Sequence, residues 1–337
     1  MKARSKTALI VGISGQDGAY LAQRLLADGY TVHGTSRDRE MSSFANLKRL
    51  EIFDRVTLHS VAITDFRSVL QGVSDIRPDR IFNLAAQSSV SLSFAQPIET
   101  IESIMIGTVN ILEAVRFLKI DTRLFHAASG DCFGNTAAGP ANETTPFHPR
   151  SPYAVGKAAA FWAVANYREA YGLAACSGLL FNHESPLRPP RFVTQKIVHG
   201  AIDVAEKRAE KLRLGNLDIG RDWGWSPEYV DAMVRMVELP APEDLVIATG
   251  EMHTVREFAD AAFRYFGLDW RDHVESDPAL LRPLDITVSV GDAARADQVM
   301  GWSAMIKFSR LVQKLIEAEM EHRRQQRASY SRAGPIS

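Results

Sequence analysis

Gly12-Ile13-Ser14-Gly15-Gln16-Asp17-Gly18 follows an apolar run at 7–12 and opens an amphipathic one at 16–28. A strand that turns through glycines into a helix is what a dinucleotide pyrophosphate needs. It offers a tight turn, a backbone without Cβ to approach, and free N–H groups at a helix start. An ordinary turn also uses glycine, but three glycines at this spacing, after a strand and before a helix, select a phosphate loop.

Outward from the loop, strand-like runs at 31–35, 56–60, 80–84, 124–128 and 174–180 alternate with helix-like runs at 66–75, 98–118 and 151–171. Gly29 suits the C-terminal end of the first helix. This alternation predicts an α/β fold, a doubly wound parallel sheet of Rossmann type with helices on both faces. After Phe181 the prolines at 186, 189 and 190 break the pattern, and shorter helices are predicted at 193–208, 227–237 and 255–266. The expected organisation is a dinucleotide-binding domain over 1–181, rejoined by 221–248, with a smaller interleaved lobe over 182–325. The chain from His322 on is polar and aperiodic, which predicts fraying, with 326–337 as a disordered tail. No repeat of fixed period is present.

Composition narrows the function classes. With 39 Lys+Arg against 40 Asp+Glu the net charge is −1, so no general field draws in nucleic acid or an anionic membrane. Phosphate binding must come from local groups. Cys132 and Cys176 are too few for a disulfide scaffold or a structural zinc site, and no metal site is expected. The basic start of the chain runs straight into the first strand, unlike a signal peptide. No stretch approaches the roughly 20 apolar residues of a membrane span. The expected compartment is the cytoplasm.

The end of the second strand chooses the dinucleotide. An NAD site carries an acidic residue there for the ribose 2′-hydroxyl. Thr35-Ser36-Arg37 instead offers hydroxyls and a guanidinium, which suit a 2′-phosphate and predict NADP, with Ser36 and Arg37 as contacts. Asp38 and Glu40 lie close by, so a solvated surface arginine is the competing account of Arg37.

Tyr153 and Lys157 stand four residues apart at the start of a predicted helix, on one face. A nearby ammonium favours a phenolate, so the pair predicts a lowered tyrosine pKa and a general base. Such a pair arises by chance on many helices. Its place after the fifth strand, behind Ser129, makes it specific, and Ser129 can bond the reacting oxygen. Asp131 lies two residues further, in Ser129-Gly130-Asp131-Cys132. Beside a redox pair, a carboxylate is the second proton acceptor that elimination needs, although Asp is equally common as a turn cap.

These residues resemble the GDP-mannose 4,6-dehydratases, within the extended short-chain dehydrogenase/reductases. The likeness runs from Thr7 to about Glu319, through GISGQDGAYLAQRLL, LAAQSSV, SPYAVGK, FNHESPLR, FVTQKI, LGNLDIGRDWG and VIATGE. It implies Ser129, Asp131, Tyr153 and Lys157 as catalytic residues. It implies cofactor contacts at Gly12, Ser14, Gly15, Gln16, Asp17 and Gly18, at Leu84, Ala85, Ala86, Gln87 and Ser88, and at His183 and Arg188. Sugar-nucleotide contacts fall on Asn182, Lys196, Arg221 and Arg282, the last three as cations around a diphosphate. The implied activity is dehydration of GDP-mannose to GDP-4-keto-6-deoxymannose, with NADP regenerated in each turnover. Departures are Asp131 where the family has glutamate, Ser129-Gly130 for Thr-Ser, Val61-Ala62 for the Gly-Asp after strand three, and a shorter, less basic loop after strand two. Ser-Gly-Asp also resembles reductases of the 4-keto product, so an NADPH-consuming reductase is the alternative. A non-catalytic NADP-binding regulator on the same fold is a second one. The resemblance implies a homodimer through the helices at 98–118 and 151–171, with Ala158, Ala159 and Ala160 allowing close approach, and leaves a tetramer open.

Overall fold

A computed structural model describes residues 5–333, the last five of these for their backbone alone. The chain begins β1 (Thr7–Val11), α1 (Gln16–Ala27), β2 (Thr31–Ser36), α2 (Ala45–Arg49), β3 (Thr57–Ser60), α3 (Phe66–Ile76) and β4 (Arg80–Asn83). Short helices α4 (Val90–Ala95) and α5 (Pro97–Ile101) lead into α6 (Gly107–Leu118), then β5 (Arg123–Ser129), α7 (Pro152–Tyr171) and β6 (Ala175–Leu180). Together with β10 (Leu245–Ile247), these strands form one seven-stranded sheet in the order 3-2-1-4-5-6-10, every pairing parallel. The chain reverses direction across the sheet between β1 and β4, which opens a crevice beyond their C-terminal ends.

Period-2 alternation decides the layers. Ala8 and Ile10 of β1 face a core built with α1 and α9 (Ser226–Glu238), while Leu9 and Val11 face one built with α3, α6 and α7. With both faces covered, the inner strands are apolar almost throughout.

The second lobe is assembled from β7 (Asn182–Glu184), α8 (Val193–Ala205), β8 (Leu212–Leu214), β9 (Gly220–Trp225), β11 (Met252–Thr254), α10 (Val255–Arg264), β12 (Val274–Ser276), β13 (Val288–Ser289) and α12 (Phe308–Ala333), while α11 (Ala294–Met300) returns to pack on β10 of the main sheet. Strand β9 is its hub. It pairs with β7 and β13 in parallel and with β11 antiparallel. The Arg221-Asp222-Trp223-Gly224 segment has a physical basis for each of its last three residues. The buried Asp222 carboxylate accepts from Thr249 N (2.9 Å), Thr249 Oγ1 (2.8 Å) and Gly250 N (3.0 Å). Trp223 packs edge-on to Phe258, and a Cβ at Gly224 would strike the Tyr229 ring.

Three expectations are corrected. The helix expected at 98–118 runs as α5, a π-helical turn at Glu102–Ile106, and α6. A π turn widens the ladder by one residue, a feature that side-chain periodicity does not reveal. The tail expected to fray from His322 is instead the continuation of α12 to Ala333. Its Glu, Gln and Arg residues are good helix formers, and Arg323 ties the turn to Glu319 (2.7 Å) and Asp203 (2.7 Å). Residues 334–337 of that tail lie outside the described residues. Of the three alanines expected at a subunit contact, Ala158 and Ala160 are buried within the chain, and Ala159 is half-buried. The outer face of α7 instead carries Val155 and Trp162. Among the described residues no helix is long and apolar enough to cross a membrane.

Candidate active site

The C-terminal ends of the sheet strands and the second lobe enclose a cavity of about 600 Å³. Gly12 closes β1 at φ +94°, and a Cβ there would come within 2.9 Å of Ala85 Cα and N. Only glycine lets the first loop pass so close to the segment after β4. Gly18 is packed just as tightly, a Cβ lying 2.5 Å from Gly12 O, so it joins helix to strand instead of meeting a ligand. Gly15 differs. A Cβ there would meet nothing nearer than Gly12 O at 3.6 Å, and Gly15 starts α1 without a side-chain cap. An open glycine at an uncapped helix start fits the pyrophosphate of a dinucleotide.

The side chains of Gln16 and Asp17 are turned inward, which the sequence did not reveal. Gln16 Nε2 donates to His183 O (3.0 Å) and its Oε1 accepts from Ser185 Oγ (2.8 Å). Asp17 accepts from His183 Nε2 (3.0 Å) and Ser226 Oγ (2.7 Å). Burial alone would raise the Asp17 pKa, but His183, Ser226 and Arg188 together hold it below its ordinary value. His183 is raised although burial opposes its charge, because Asp17 faces it and Phe181 O accepts from Nδ1. The Gly-Gln-Asp-Gly loop thus clamps β7, which carries Asn182 and His183 to the cavity wall. For a phosphate, Gln16 and Asp17 are left with their backbone, while Ser14 is exposed.

Among the other expected contacts, Leu84, Ala86, Ser88, His183 and Arg188 line the cavity. Arg188 lies 3.1 Å from Glu184, with its guanidinium 3.9 Å from the Phe192 ring centroid. Ala85 sits behind Gly12, and Gln87 turns to Ser89 O (2.8 Å) and Thr100 Oγ1 (3.3 Å). Ser36 and Arg37 lie outside the cavity lining, at the end of β2. The Arg37 side chain is 80% exposed and touches Glu99 only at 3.5 Å, so its charge is available. Asp38 caps its own turn, accepting from Glu40 N (2.9 Å) and Met41 N (3.2 Å).

The four proposed reacting groups converge. Helix α7 starts at Ser151, whose hydroxyl accepts from Ala154 N (3.1 Å), with Pro152 at its first position. That start sets Tyr153 and Lys157 on the cavity wall with Ser129 and Asp131. The Lys157 ammonium is 5.8 Å from the Tyr153 ring centroid and donates to Ala127 O (2.6 Å). Burial brings the Lys157 pKa down to about 8. The expectation of a lowered Tyr153 is corrected: burial, then the Asp131 charge, push its pKa above the ordinary 10, opposed chiefly by a hydrogen bond with Ser129. Desolvation of a phenolate here outweighs its stabilisation by the protein's cations. Asp131 is raised by burial, with Arg221 and Arg282 pulling it down and Asp285 adding to the rise. Its neighbour Cys132 is pushed up to about 12 by burial.

Behind Lys157, His126 and Asn83 form a buried polar pair (Nδ1 to Nδ2, 3.2 Å), and Asn83 donates to Thr108 Oγ1 (3.0 Å). Burial, then the Lys157 charge, hold His126 neutral.

The expected cationic ring is only partly free. Arg221 is buried and donates to Ile286 O (2.7 Å), Gly220 O (2.9 Å) and Asp285 Oδ1 (3.0 Å). Arg282 reaches Ser91 Oγ (3.1 Å) and Asp285 Oδ1 (3.4 Å). Lys196 lines the wall and is exposed. Arg150, Arg191 and Arg213 also line it, and sequence reading overlooked them because they come from loops and a three-residue strand without a motif. The arrangement offers a half-buried phenol with a buried ammonium and hydroxyl for proton transfer at one oxygen, a separate carboxyl, and a cationic wall for a diphosphate.

Residues 9–315 match the family model described as GDP-mannose 4,6 dehydratase. The chain is 44% identical over 326 residues to GDP-mannose 4,6 dehydratase 2 of Arabidopsis thaliana, covering 94% of this chain and 87% of that one. It is 41% identical to GDP-mannose 4,6-dehydratase of Sinorhizobium fredii, covering 95% and 98%. Among solved structures, UDP-glucose 4-epimerase of Thermus thermophilus in complex with NAD superposes with a TM-score of 0.81 at 25% identity, covering 92% and 98%. The dTDP-glucose 4,6-dehydratase of Bacillus anthracis shares the fold, with a TM-score of 0.82 at 19% identity, covering 94% and 97%.

Proposed function

The chain belongs to the GDP-mannose 4,6-dehydratase family, and we infer that it removes water from GDP-mannose to give GDP-4-keto-6-deoxymannose, with Ser129, Asp131, Tyr153 and Lys157 as the acting groups. The observation that carries this reading is the placement of Asp131 in one cavity with the Tyr153–Lys157–Ser129 cluster. Oxidation at a carbinol needs only the cluster. Elimination needs a further proton acceptor.

Tyr153 takes the proton of the C4 hydroxyl, while Ser129 bonds the same oxygen and Lys157 supplies the positive charge that favours the phenolate. A nicotinamide held beside Tyr153 and Lys157 would supply hydride transfer between C4 and C6 with no net consumption of cofactor. The C4 carbonyl acidifies C5, and Asp131 removes that hydrogen and gives the proton to the departing C6 hydroxyl; once C6 is reduced, C5 takes a proton back, which balances the one Tyr153 removed from the C4 hydroxyl. The substrate loses one water. Arg221, Arg282 and Lys196 hold the diphosphate, and Asn182, which lines the same cavity, contacts the sugar nucleotide.

The dinucleotide is NADP. The start of α1 would hold its pyrophosphate, and Ser36 and Arg37 would hold its 2′-phosphate. The exposed guanidinium of Arg37 and the engagement of the Asp38 carboxylate in its own turn support this choice over NAD. Two copies pair through α5, α6 and α7, where Ile98, Phe117 and Trp162 are exposed.

The deciding experiment incubates the purified protein with a panel of nucleotide sugars and no added cofactor, following products by mass. Conversion of GDP-mannose to a product lighter by one water is expected. Turnover only of a 4-keto sugar, and only with added NADPH, assigns the chain as a reductase instead.

A further inference from the structure

Asp285 stands between Arg221 and Arg282 in the wall of the cavity that Asp131 also lines. Its Oδ1 accepts from Arg221 Nη2 at 3.0 Å and from Arg282 Nη1 at 3.4 Å. Arg221 reaches this point from β9. Arg282 and Asp285 come from the segment between the short 3₁₀ turn Pro278–Leu280 and β13. A carboxylate in this place is costly for a diphosphate site, because it repels the anion and neutralises the cations that would hold it. Anchoring alone does not explain its charge. Arg221 already donates to two carbonyls, and Arg282 to Ser91 Oγ.

Asp131 is where that charge acts. The ionisable groups around it are Arg221 from β9, Arg282 and Asp285 from the segment before β13, Tyr153 from α7, and Cys132 on its own turn. Tyr153 and Cys132 keep their protons at neutral pH, since burial raises both. The field on Asp131 is therefore that of two guanidiniums less one carboxylate.

We propose that Asp285 is a positioning residue for the C5 base: it fixes Arg221 and Arg282 and cancels part of their charge, so that Asp131 stays basic enough to accept a proton beside a cationic seat for the diphosphate. This rests on the assignment of Asp131 as that base. A bare arginine pair would hold Asp131 as a stabilised and weakly basic carboxylate. A diphosphate on the same pair acts in the same direction as Asp285, so nucleotide binding and the proton affinity of Asp131 rise together, by linkage.

The test is the pH dependence of turnover and of C5 hydrogen exchange with solvent, at saturating GDP-mannose, in Asp285→Asn and Asp285→Glu. Asparagine keeps an acceptor for the guanidiniums and removes the charge. Its acid limb is expected to move down by about one pH unit, the effect of deleting one charge at short range in a partly desolvated site. Plateau turnover falls, KM does not rise, and Asp285→Glu restores both limb and plateau. A merely structural role would lower turnover or raise KM with the limb unmoved, and that result overturns the proposal. Should Asp285→Asn fail to fold, Arg282→Gln provides the opposite arm: loss of one cation moves the acid limb up, and an unmoved limb overturns the proposal equally. Asp131→Asn separates the two assignments. If that variant still exchanges C5 hydrogen, Asp131 is not the base. If exchange is lost there while Asp285→Asn leaves the limb in place, only the role of Asp285 is refuted.

Discussion

His183 Nε2 and Asp17 Oδ2 meet at 3.0 Å, a contact between residues 166 positions apart that joins the glycine loop to the strand carrying Asn182. The cofactor loop and the first strand of the second lobe are thereby one rigid piece. Replacing Asp17 by Ala leaves a buried imidazolium and the Ser226 hydroxyl without their acceptor, and is expected to cost about 3 kcal/mol of stability in urea denaturation at neutral pH. His183 is raised and Asp17 lowered from their ordinary values of 6.5 and 3.8. The His183 share of the pair's stability is therefore lost as pH rises through its raised pKa. The Asp17 share is lost as pH falls through its lowered one. The gap between the unmutated protein and Asp17→Ala should narrow at both extremes; a gap independent of pH would contradict an ionic pair.

Asp131→Asn should block release of water and exchange of the C5 hydrogen, while the first proton transfer at C4 survives because Tyr153, Lys157 and Ser129 are intact. Reduced nicotinamide should then accumulate after GDP-mannose is added, visible by its near-ultraviolet absorbance. Tyr153→Phe should abolish that signal. An Asp131→Asn protein that eliminates water at the unmutated rate would sink the assignment.

Lys157 sets the alkaline side of the pH profile. Burial lowers its ammonium pKa to about 8, so the charged form that favours the Tyr153 phenolate disappears as pH rises through that value. Turnover should decline above that pH, and Lys157→Arg, charged throughout, should carry whatever activity it retains to higher pH. A profile still rising well above that value would show that Lys157 does not act through its charge.

Arg37→Ala should reduce the preference for NADP over NAD, because a charge-assisted contact to the 2′-phosphate is worth about 1.5–3 kcal/mol. Dissociation constants of both dinucleotides, for the unmutated protein and the variant, check this. Equal affinities before mutation would remove NADP as the assigned cofactor.

Trp162 is 62% exposed on α7 and Phe117 is 64% exposed on α6. Light scattering at micromolar concentration should give a dimer mass, and Trp162→Glu should reduce it toward the monomer. A monomer before mutation refutes pairing through this face.

What the amino-acid sequence determined by itself is local and periodic. Alternation of period 2 and 3.6, punctuated by glycine and proline, is imposed by backbone geometry within a few residues, so the doubly wound fold, the glycine turn from β1 into α1 and the Tyr153–Lys157 spacing were legible. The π turn at 102–106 was not, because one widened turn leaves side-chain periodicity nearly intact. Nor was the continuation of α12, whose polar residues are held by Glu319 and by Asp203, 120 positions away. Only the tertiary structure decided the electrostatics. Whether Tyr153 rises or falls depends on burial, on Asp131 and on the hydrogen bond with Ser129, none of which its spacing from Lys157 reveals. Whether Arg221 is free depends on Asp285, 64 residues further along the chain. Desolvation and Coulomb terms are set by distances that folding creates, and no spacing along the chain encodes them.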